Sequence, residues 1–268
     1  MLTARTLVCR GGLEIADVSC RHGRGRGQAS ESSARHAVVF VRRGCFVHRA
    51  DGRASVLDAT QAYCISPGVE LRYDHPHEGG DDCTAVHLDA ELLASLWGGE
   101  PALPSGPLPV GPALDLEHRA LLAAARHADE HELLERGLEL VARALAQADK
   151  RRARAGRPAT ERARRELCDA ARERLAADPG WGQVELARAL AVSPHHLSRI
   201  FRAQTGTALA RHRLRLRVRT ALERLAGGER DLARLAADAG FADHSHLCRA
   251  IRSETGSTPG RLRELLGG

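Results

Sequence analysis

Lysine is almost missing from this chain of 268 residues: Lys150 is the single one, so the remaining cations among its 40 Lys+Arg are arginines. No apolar run approaches the roughly 18 residues that cross a bilayer. The first 30 residues lack the apolar stretch of a secretory signal, because Arg5, Arg10, Glu14, Asp17 and Arg21 interrupt them. Cysteine offers no Cys-x-x-Cys pair and no even framework: the seven are Cys9, Cys20, Cys45, Cys64, Cys83, Cys168 and Cys248. Reduced thiols in a cytoplasmic protein, with no membrane partner, are the expectation. With 43% hydrophobic and 28% charged residues, the composition is that of a globular chain rather than a disordered one.

The formal charge of +6 is an average over two unlike halves. Residues 1–150 hold 16 Lys+Arg and 21 Asp+Glu, a formal −5; residues 151–268 hold 24 and 13, a formal +11. A codon bias explains arginine over lysine, but not why the excess gathers at one end. Arginine's planar fork of donors suits phosphate oxygens and base edges, so the basic half points to nucleic acid or another anionic surface.

The acidic half reads as strands over residues 5–88. Short apolar pieces (Val38 to Val41, Cys45 to His48, Ala54 to Leu57, Tyr63 to Ile65, Thr84 to Leu88) alternate with turn signals at Asp51-Gly52, Ser66-Pro67-Gly68 and Gly79-Gly80. That rhythm suggests a β-sandwich or barrel. A Pro/Gly-rich boundary follows at 98–112. Leu114, Leu121, Leu122 and Ala125, then Leu133, Leu134, Leu138, Val141 and Leu145, fall near helical spacing, as helices that dimerise or cover the barrel. Residues 150–158 form an arginine-rich linker. Thr160 is the expected cap of a helix that runs to about Ala177 and stops at Asp178-Pro179-Gly180. Further helices are expected near 183–190, 194–204, 208–226, 231–239, 243–253 and 258–266.

These later helices contain a repeat. Leu197-Ser198-Arg199-Ile200-Phe201-Arg202-Ala203-Gln204-Thr205-Gly206 aligns with Leu247-Cys248-Arg249-Ala250-Ile251-Arg252-Ser253-Glu254-Thr255-Gly256 at an offset of 50. Each copy has a helix-turn-helix form. In the first, Val184, Leu186, Ala187 and Leu190 face inward, Ala191-Val192 turns, Ser193 caps and Pro194 opens the next helix. In the second, Leu232, Leu235, Ala236 and Ala239 face inward, Gly240-Phe241 turns and Asp243 caps. His195, His196, Ser198, Arg199 and Arg202 then lie off the apolar stripe of one helix; His244, Ser245, His246, Cys248, Arg249 and Arg252 lie off that of the other. Short polar groups near a helix N-terminus, with arginine one turn later, suit a DNA major groove. A single such arginine is usually solvated surface, but two copies in a +11 half favour the groove. The helix between them has Leu214, Val218, Ala221, Leu222 and Leu225 on one face, and Arg211, Arg213, Arg215, Arg217 and Arg219 over the rest. It could hold the two reading helices about one DNA turn, roughly 34 Å, apart.

On these residues, 160–268 resemble the DNA-binding domain of the AraC/XylS family of transcription regulators. Gly240-Phe241-Ala242-Asp243-His244-Ser245-His246-Leu247-Cys248-Arg249, followed by Thr255-Gly256-Ser257-Thr258-Pro259 and Arg263, carries the resemblance, with Leu247 and Ile251 where the family often has Phe. The resemblance implies base contacts from His195, Ser198, Arg199, His244, Ser245, Cys248 and Arg249, and backbone contacts are expected from Arg202, Arg217 and Arg252. Gly240, Phe241, Leu197, Leu247 and Pro259 read as fold determinants. Residues 1–97, through Gly44, Asp51-Gly52, Asp58, Pro67-Gly68 and strand 84–88, are similar to the cupin-like sensor domain that often precedes it. Residues 98–159 are then a linker and helical region.

The expected fold is α+β and multidomain: a cupin-like β-barrel with following helices, then an all-α domain of two helix-turn-helix units joined by a long helix. The expected function is sequence-specific DNA binding by a transcription regulator, not an enzyme, with no cofactor. Its partners are double-stranded DNA, RNA polymerase if it activates, a small-molecule effector and a second copy of the chain. The rival reading is a metal-dependent cupin enzyme fused to a DNA-binding module, with His75, His77 and His87 as ligands. His75 and His77 are expected instead as solvated histidines of a turn-rich stretch, and Cys45 and Cys64 as small strand hydrophobes.

Overall fold

A computed structural model describes residues 2–21, 25–26, 31–97, 103–149 and 158–267. Residues 98–102 of the Pro/Gly-rich boundary and 150–157 of the arginine-rich linker lie outside it. The chain divides into two compact units: Met1–Val110 with His127–Arg154, and Gly111–Arg126 with Ala155–Gly268.

The elements begin with ten strands: β1 (Leu2–Arg10), β2 (Leu13–Cys20), β3 (Gly25–Arg26), β4 (Glu31–Ser32), β5 (His36–Arg43), β6 (Cys45–Ala50), β7 (Arg53–Asp58), β8 (Gln61–Ile65), β9 (Glu70–His75) and β10 (Asp81–Leu88). Helix α1 (Ala90–Trp97), strand β11 (Leu108–Pro109) and helices α2 (Pro112–Ala124) and α3 (Glu130–Asp149) follow. One sheet has the order β1-β2-β10-β5-β8-β11; the other runs β3-β9-β6-β7, with β4 also on β9. Every pairing is antiparallel.

Alternation explains the core of this unit. Ala37, Val39 and Val41 of β5 join Phe46, Leu57, Tyr63, Leu71, Cys83 and Ala85 in one buried cluster. The intervening Val38 and Phe40 are fully buried too, so β5 is covered on both faces and reads as a continuous apolar run. Helix α3 lies along β1, β2 and β11. It comes close because of Gly137, where a Cβ would stand 2.6 Å from Ile15 Cδ1. The turn from β7 to β8 is tied by buried Asp58, whose Oδ1 accepts from Thr60 N (2.7 Å) and Thr60 Oγ1 (2.6 Å).

The second unit is helical: α2, then α4 (Pro158–Ala177), α5 (Gln183–Ala189), α6 (Pro194–Thr205), α7 (Leu209–Ala226), α8 (Leu232–Asp238), α9 (His244–Thr255) and α10 (Pro259–Gly267). Thr160 is not a cap; it lies inside the first turn of α4, which opens at Pro158, a residue suited to a position with no intrahelical N–H partner. Helix α4 ends where expected, and Asp178 Oδ1 accepts from Gly180 N at 2.6 Å in the stop.

Two cores form around α7. Leu209 and Leu216, in its first half, pack with Cys168, Ala171, Leu175, Leu186, Ala187, Leu197 and Phe201. Val218, Ala221, Leu222 and Leu225, in its second half, pack with Leu235, Ala236, Phe241, Leu247, Ile251 and Leu262. Burial of side chains such as Leu197 and Phe201 contributes roughly 1.5–3 kcal/mol each. Leu214, expected on the buried face, is only partly buried, while His212 and Arg219 are inside. The two helical segments expected within 98–159 part company: α3 belongs to the first unit, and α2 packs on α9 and α10 of the second.

Candidate nucleic-acid interface

The two repeats share their backbone devices. Ser193 accepts from His196 N at 3.2 Å to start α6; Asp243 accepts from His246 N at 2.6 Å to start α9. That amide bond holds the exposed Asp243 carboxyl below its usual range. Each helix ends on a left-handed glycine, Gly206 (φ 72°) and Gly256 (φ 73°). Thr205 Oγ1 donates to Phe201 O, and Thr255 Oγ1 to Ile251 O, both at 2.8 Å.

The turns differ by one residue. Helix α5 starts 49 residues before α8, whereas α6 starts 50 before α9, so Ala242 is an insertion in the second turn. The pivot residues, Ala191 and Gly240, both take positive φ, at 54° and 74°. Val192 N donates to Ala187 O at 3.0 Å, and Phe241 N to Ala236 O at 2.8 Å, so the turns close alike.

On α6, His195, Arg199 and Arg202 are exposed and Ser198 is half-buried. On α9, His244, Ser245, Arg249 and Arg252 are exposed and Cys248 is half-buried. Both helices thus present their expected base-reading residues outward. Neither carries an acidic residue on its exposed face: α6 has none, and the single one of α9, Glu254, is buried. Its carboxylate is enclosed by Arg211 Nε (2.5 Å) and Arg215 Nε (3.2 Å) from α7. His246 turns inward, its ring edge-on to Phe241 with centroids 5.3 Å apart.

The arginines of α7 are mostly occupied within the unit. Arg217, expected at the DNA backbone, directs Nε (3.2 Å) and Nη2 (3.0 Å) at Pro179 O. Arg213 Nη2 donates to Gly180 O at 3.4 Å, and Arg219 Nε lies 3.2 Å from Asp115 Oδ2. The stop after α4 therefore draws in two arginines that a charge count alone assigns to phosphate. Sequence reading also missed Gln183. Its Nε2 donates to Ser198 Oγ at 2.7 Å and to Pro194 O at 3.3 Å, tying the start of α5 to the first turns of α6. No periodicity marks such a residue, because it is an exposed polar group at a helix start.

The family model for a helix-turn-helix domain, of the AraC type, matches residues 186–265. Residues 186–265 are an AraC-type helix-turn-helix domain. The match spans both repeats and α7 between them. The match covers 80 of the 268 residues and makes this part of the second unit a DNA-binding helix-turn-helix domain. No curated protein sequence matches it. Among solved structures it is similar to ToxT from Vibrio cholerae O395, at 9% identity over 96% of this chain and 99% of that one, with a TM-score of 0.39. An AraC-type regulator from Chromobacterium violaceum aligns at 22% identity over 37% of this chain and 90% of that one, TM-score 0.35. An RmlC-like cupin from Shewanella frigidimarina aligns at 21% identity over 33% of this chain and 77% of that one, TM-score 0.29.

Among the described residues, no cluster of metal-ligating side chains joins His75, His77 and His87. His75 is not a loop histidine: it ends β9, is buried, and has Nε2 at 2.6 Å from Asp81 Oδ1. His87 pairs with Glu14 in the ladder and stands six residues along β10 from Asp81, about 20 Å at strand rise. Cys45 is buried and Cys64 half-buried, with burial pushing the Cys64 thiol up to about 12. No described helix is long and apolar enough to cross a membrane.

Proposed function

We propose that this protein is a sequence-specific, effector-responsive transcription regulator that lays α6 and α9 in successive major grooves of one duplex. The observation carrying this reading is the pair of repeated helices whose exposed faces bear His, Ser and Arg and no carboxylate. His195, Ser198 and Arg199 then read one set of base edges, and His244, Ser245, Cys248 and Arg249 another. Arg202 and Arg252, one turn further along, meet phosphates. Arg217 instead fixes the end of α4 against α7. Gln183 holds the Ser198 hydroxyl and so selects which base edge that hydroxyl meets.

In this reading the first unit is the sensor, and its inter-sheet interior receives a small effector. Phe46, Tyr63, Tyr73 and His48 line one another there, with His48 and Tyr63 ring centroids 4.6 Å apart. Burial pushes the Tyr73 hydroxyl up to about 12, so it stays neutral and able to donate. RNA polymerase and a second copy of the chain are the further partners, in a cytoplasmic setting; no turnover is assigned.

Selection of bound sites from random duplexes with the full-length protein tests the proposal. The expected outcome is an operator with two conserved blocks. Retention without sequence enrichment, or with only one block, would overturn the two-helix reading.

A further inference from the structure

Three strands bring sulfur, nitrogen and oxygen donors to one buried point in the first unit. Cys20, the last residue of β2, and Asp81, the first of β10, are direct register partners. Their side chains therefore leave the larger sheet on the same face. His75, the last residue of β9, reaches this point from the other sheet and stands 2.6 Å from Asp81. The Cys20, His75 and Asp81 ligand atoms all lie within 4.8 Å of one another, and all three residues are buried.

The close approach is built into the backbone. Gly80 adopts φ +64°, and a Cβ there would fall 1.8 Å from Cys20 O, so only glycine lets the start of β10 meet the end of β2. Behind Asp81, the Cys83 thiol donates to Oδ2 at 3.3 Å. Such an outer contact orients a ligating carboxylate. A His–Asp hydrogen bond alone satisfies two buried polar groups. It does not explain why a thiol from a third strand converges on them.

We propose that Cys20, His75 and Asp81 form a zinc site that clamps the two sheets of the first unit together. A tetrahedral zinc ion holds S, N and O atoms at about 2.0–2.3 Å, which sets donors about 3.3–3.6 Å apart. His75 and Asp81 stand closer than that, at 2.6 Å, and all three donors lie within 4.8 Å of one another, so binding requires that His75 and Asp81 open slightly. Thiolate and imidazole together select zinc over magnesium or calcium, which take oxygen ligands. The three side chains supply three positions, and water completes the fourth. The site rests on the first unit alone and is independent of how the reading helices bind DNA.

Reduced full-length protein, stripped with a chelator, is titrated with zinc against a chromogenic competitor and, separately, with cobalt. The expected result is one zinc per chain, bound tighter than micromolar, and a cobalt complex with a sulfur-to-cobalt charge-transfer band. Cys20→Ser should abolish that band, and His75→Gln should weaken zinc at least tenfold. Cys9→Ser and His87→Gln should leave both readouts unchanged. Asp81→Asn, which keeps the side-chain shape, tests the same site if circular dichroism shows that Cys20→Ser misfolds. Less than stoichiometric binding, a cobalt complex without sulfur character, or affinity unchanged in Cys20→Ser, His75→Gln and Asp81→Asn would each overturn the proposal.

Discussion

Asp115 of α2 faces Arg219 of α7 at 3.2 Å, with side chains only 6% and 5% exposed. Arg119, one turn along α2, stands at the same distance from the same carboxylate oxygen. A residue that precedes the linker in sequence thus neutralises a cation in the middle of the DNA-binding unit.

Removing that carboxylate leaves two guanidinium groups buried without their shared counter-charge. Asp115→Ala should destabilise the second unit by about 3–5 kcal/mol, measured as a lower denaturation midpoint for its transition. Burial alone would raise the Asp115 carboxyl, but the charges of Arg119 and Arg219 outweigh it and hold the group below its usual range. Its stabilising contribution is therefore complete above about pH 4, the unfolded value. It is lost as pH falls through the lower folded value. A drop below 1 kcal/mol would show that α2 does not anchor there.

Arg199→Ala and Arg249→Ala should each weaken operator binding by about 1–3 kcal/mol and relax base preference at one position. Arg202→Ala and Arg252→Ala should instead weaken all duplexes alike and lower the salt slope by about 1. Titrations against the selected operator and a scrambled one, at several salt concentrations, separate the two behaviours. Arg217→Ala should alter stability without changing base preference.

The two turns make a matched pair of tests. Ala191 sits at φ 54°, where a side chain costs roughly 1–2 kcal/mol, and glycine's unfolded-state entropy returns up to about 1. Ala191→Gly should then gain about 0.5–1 kcal/mol, seen as a higher melting temperature. Gly240→Ala should lose about 1–2 kcal/mol by the same conformational cost, with its new methyl against Arg217 Nε at 3.4 Å. Shifts of opposite sign would match this reasoning, whereas a loss in both variants would contradict it.

Burial pushes His48 down to about 4. The folded protein holds it neutral, while the unfolded chain takes up a proton near pH 6.5. Its contribution to stability is thus complete above about pH 6.5 and is lost as pH falls toward 4. The melting temperature of the first unit should decline across that window in scanning calorimetry. His48→Gln should flatten the decline.

The helices of the DNA-binding domain were legible because short-range chemistry wrote them. Ser193-Pro194, Asp243, Gly206 and Gly256 are local punctuation, and the 50-residue repeat restated each signal. The outward set on α6 and α9 followed from the same periodicity. What escaped depends on contacts distant in sequence. Nothing around Arg217 announces that Pro179 O will take its donors, and nothing around Asp115 announces Arg219. His75 looked like a loop residue because Pro76 and Gly79-Gly80 follow it, yet it closes β9 and is buried by the opposing sheet. The single-residue difference between the two turns was hidden by aligning only the second helices.

Helix α7 serves both cores at once, its first half in one and its second half in the other. Two domains on a flexible tether could each find their own half of an operator. In the proposed reading a shared shaft removes that freedom, and the DNA-binding unit lies on the duplex as a fixed calliper. One base pair inserted between the two operator blocks would shift the far block by about 3.4 Å and rotate it by about 35°. The shaft cannot follow that rotation, so the operator should tolerate base changes between its blocks far better than changes in the distance separating them.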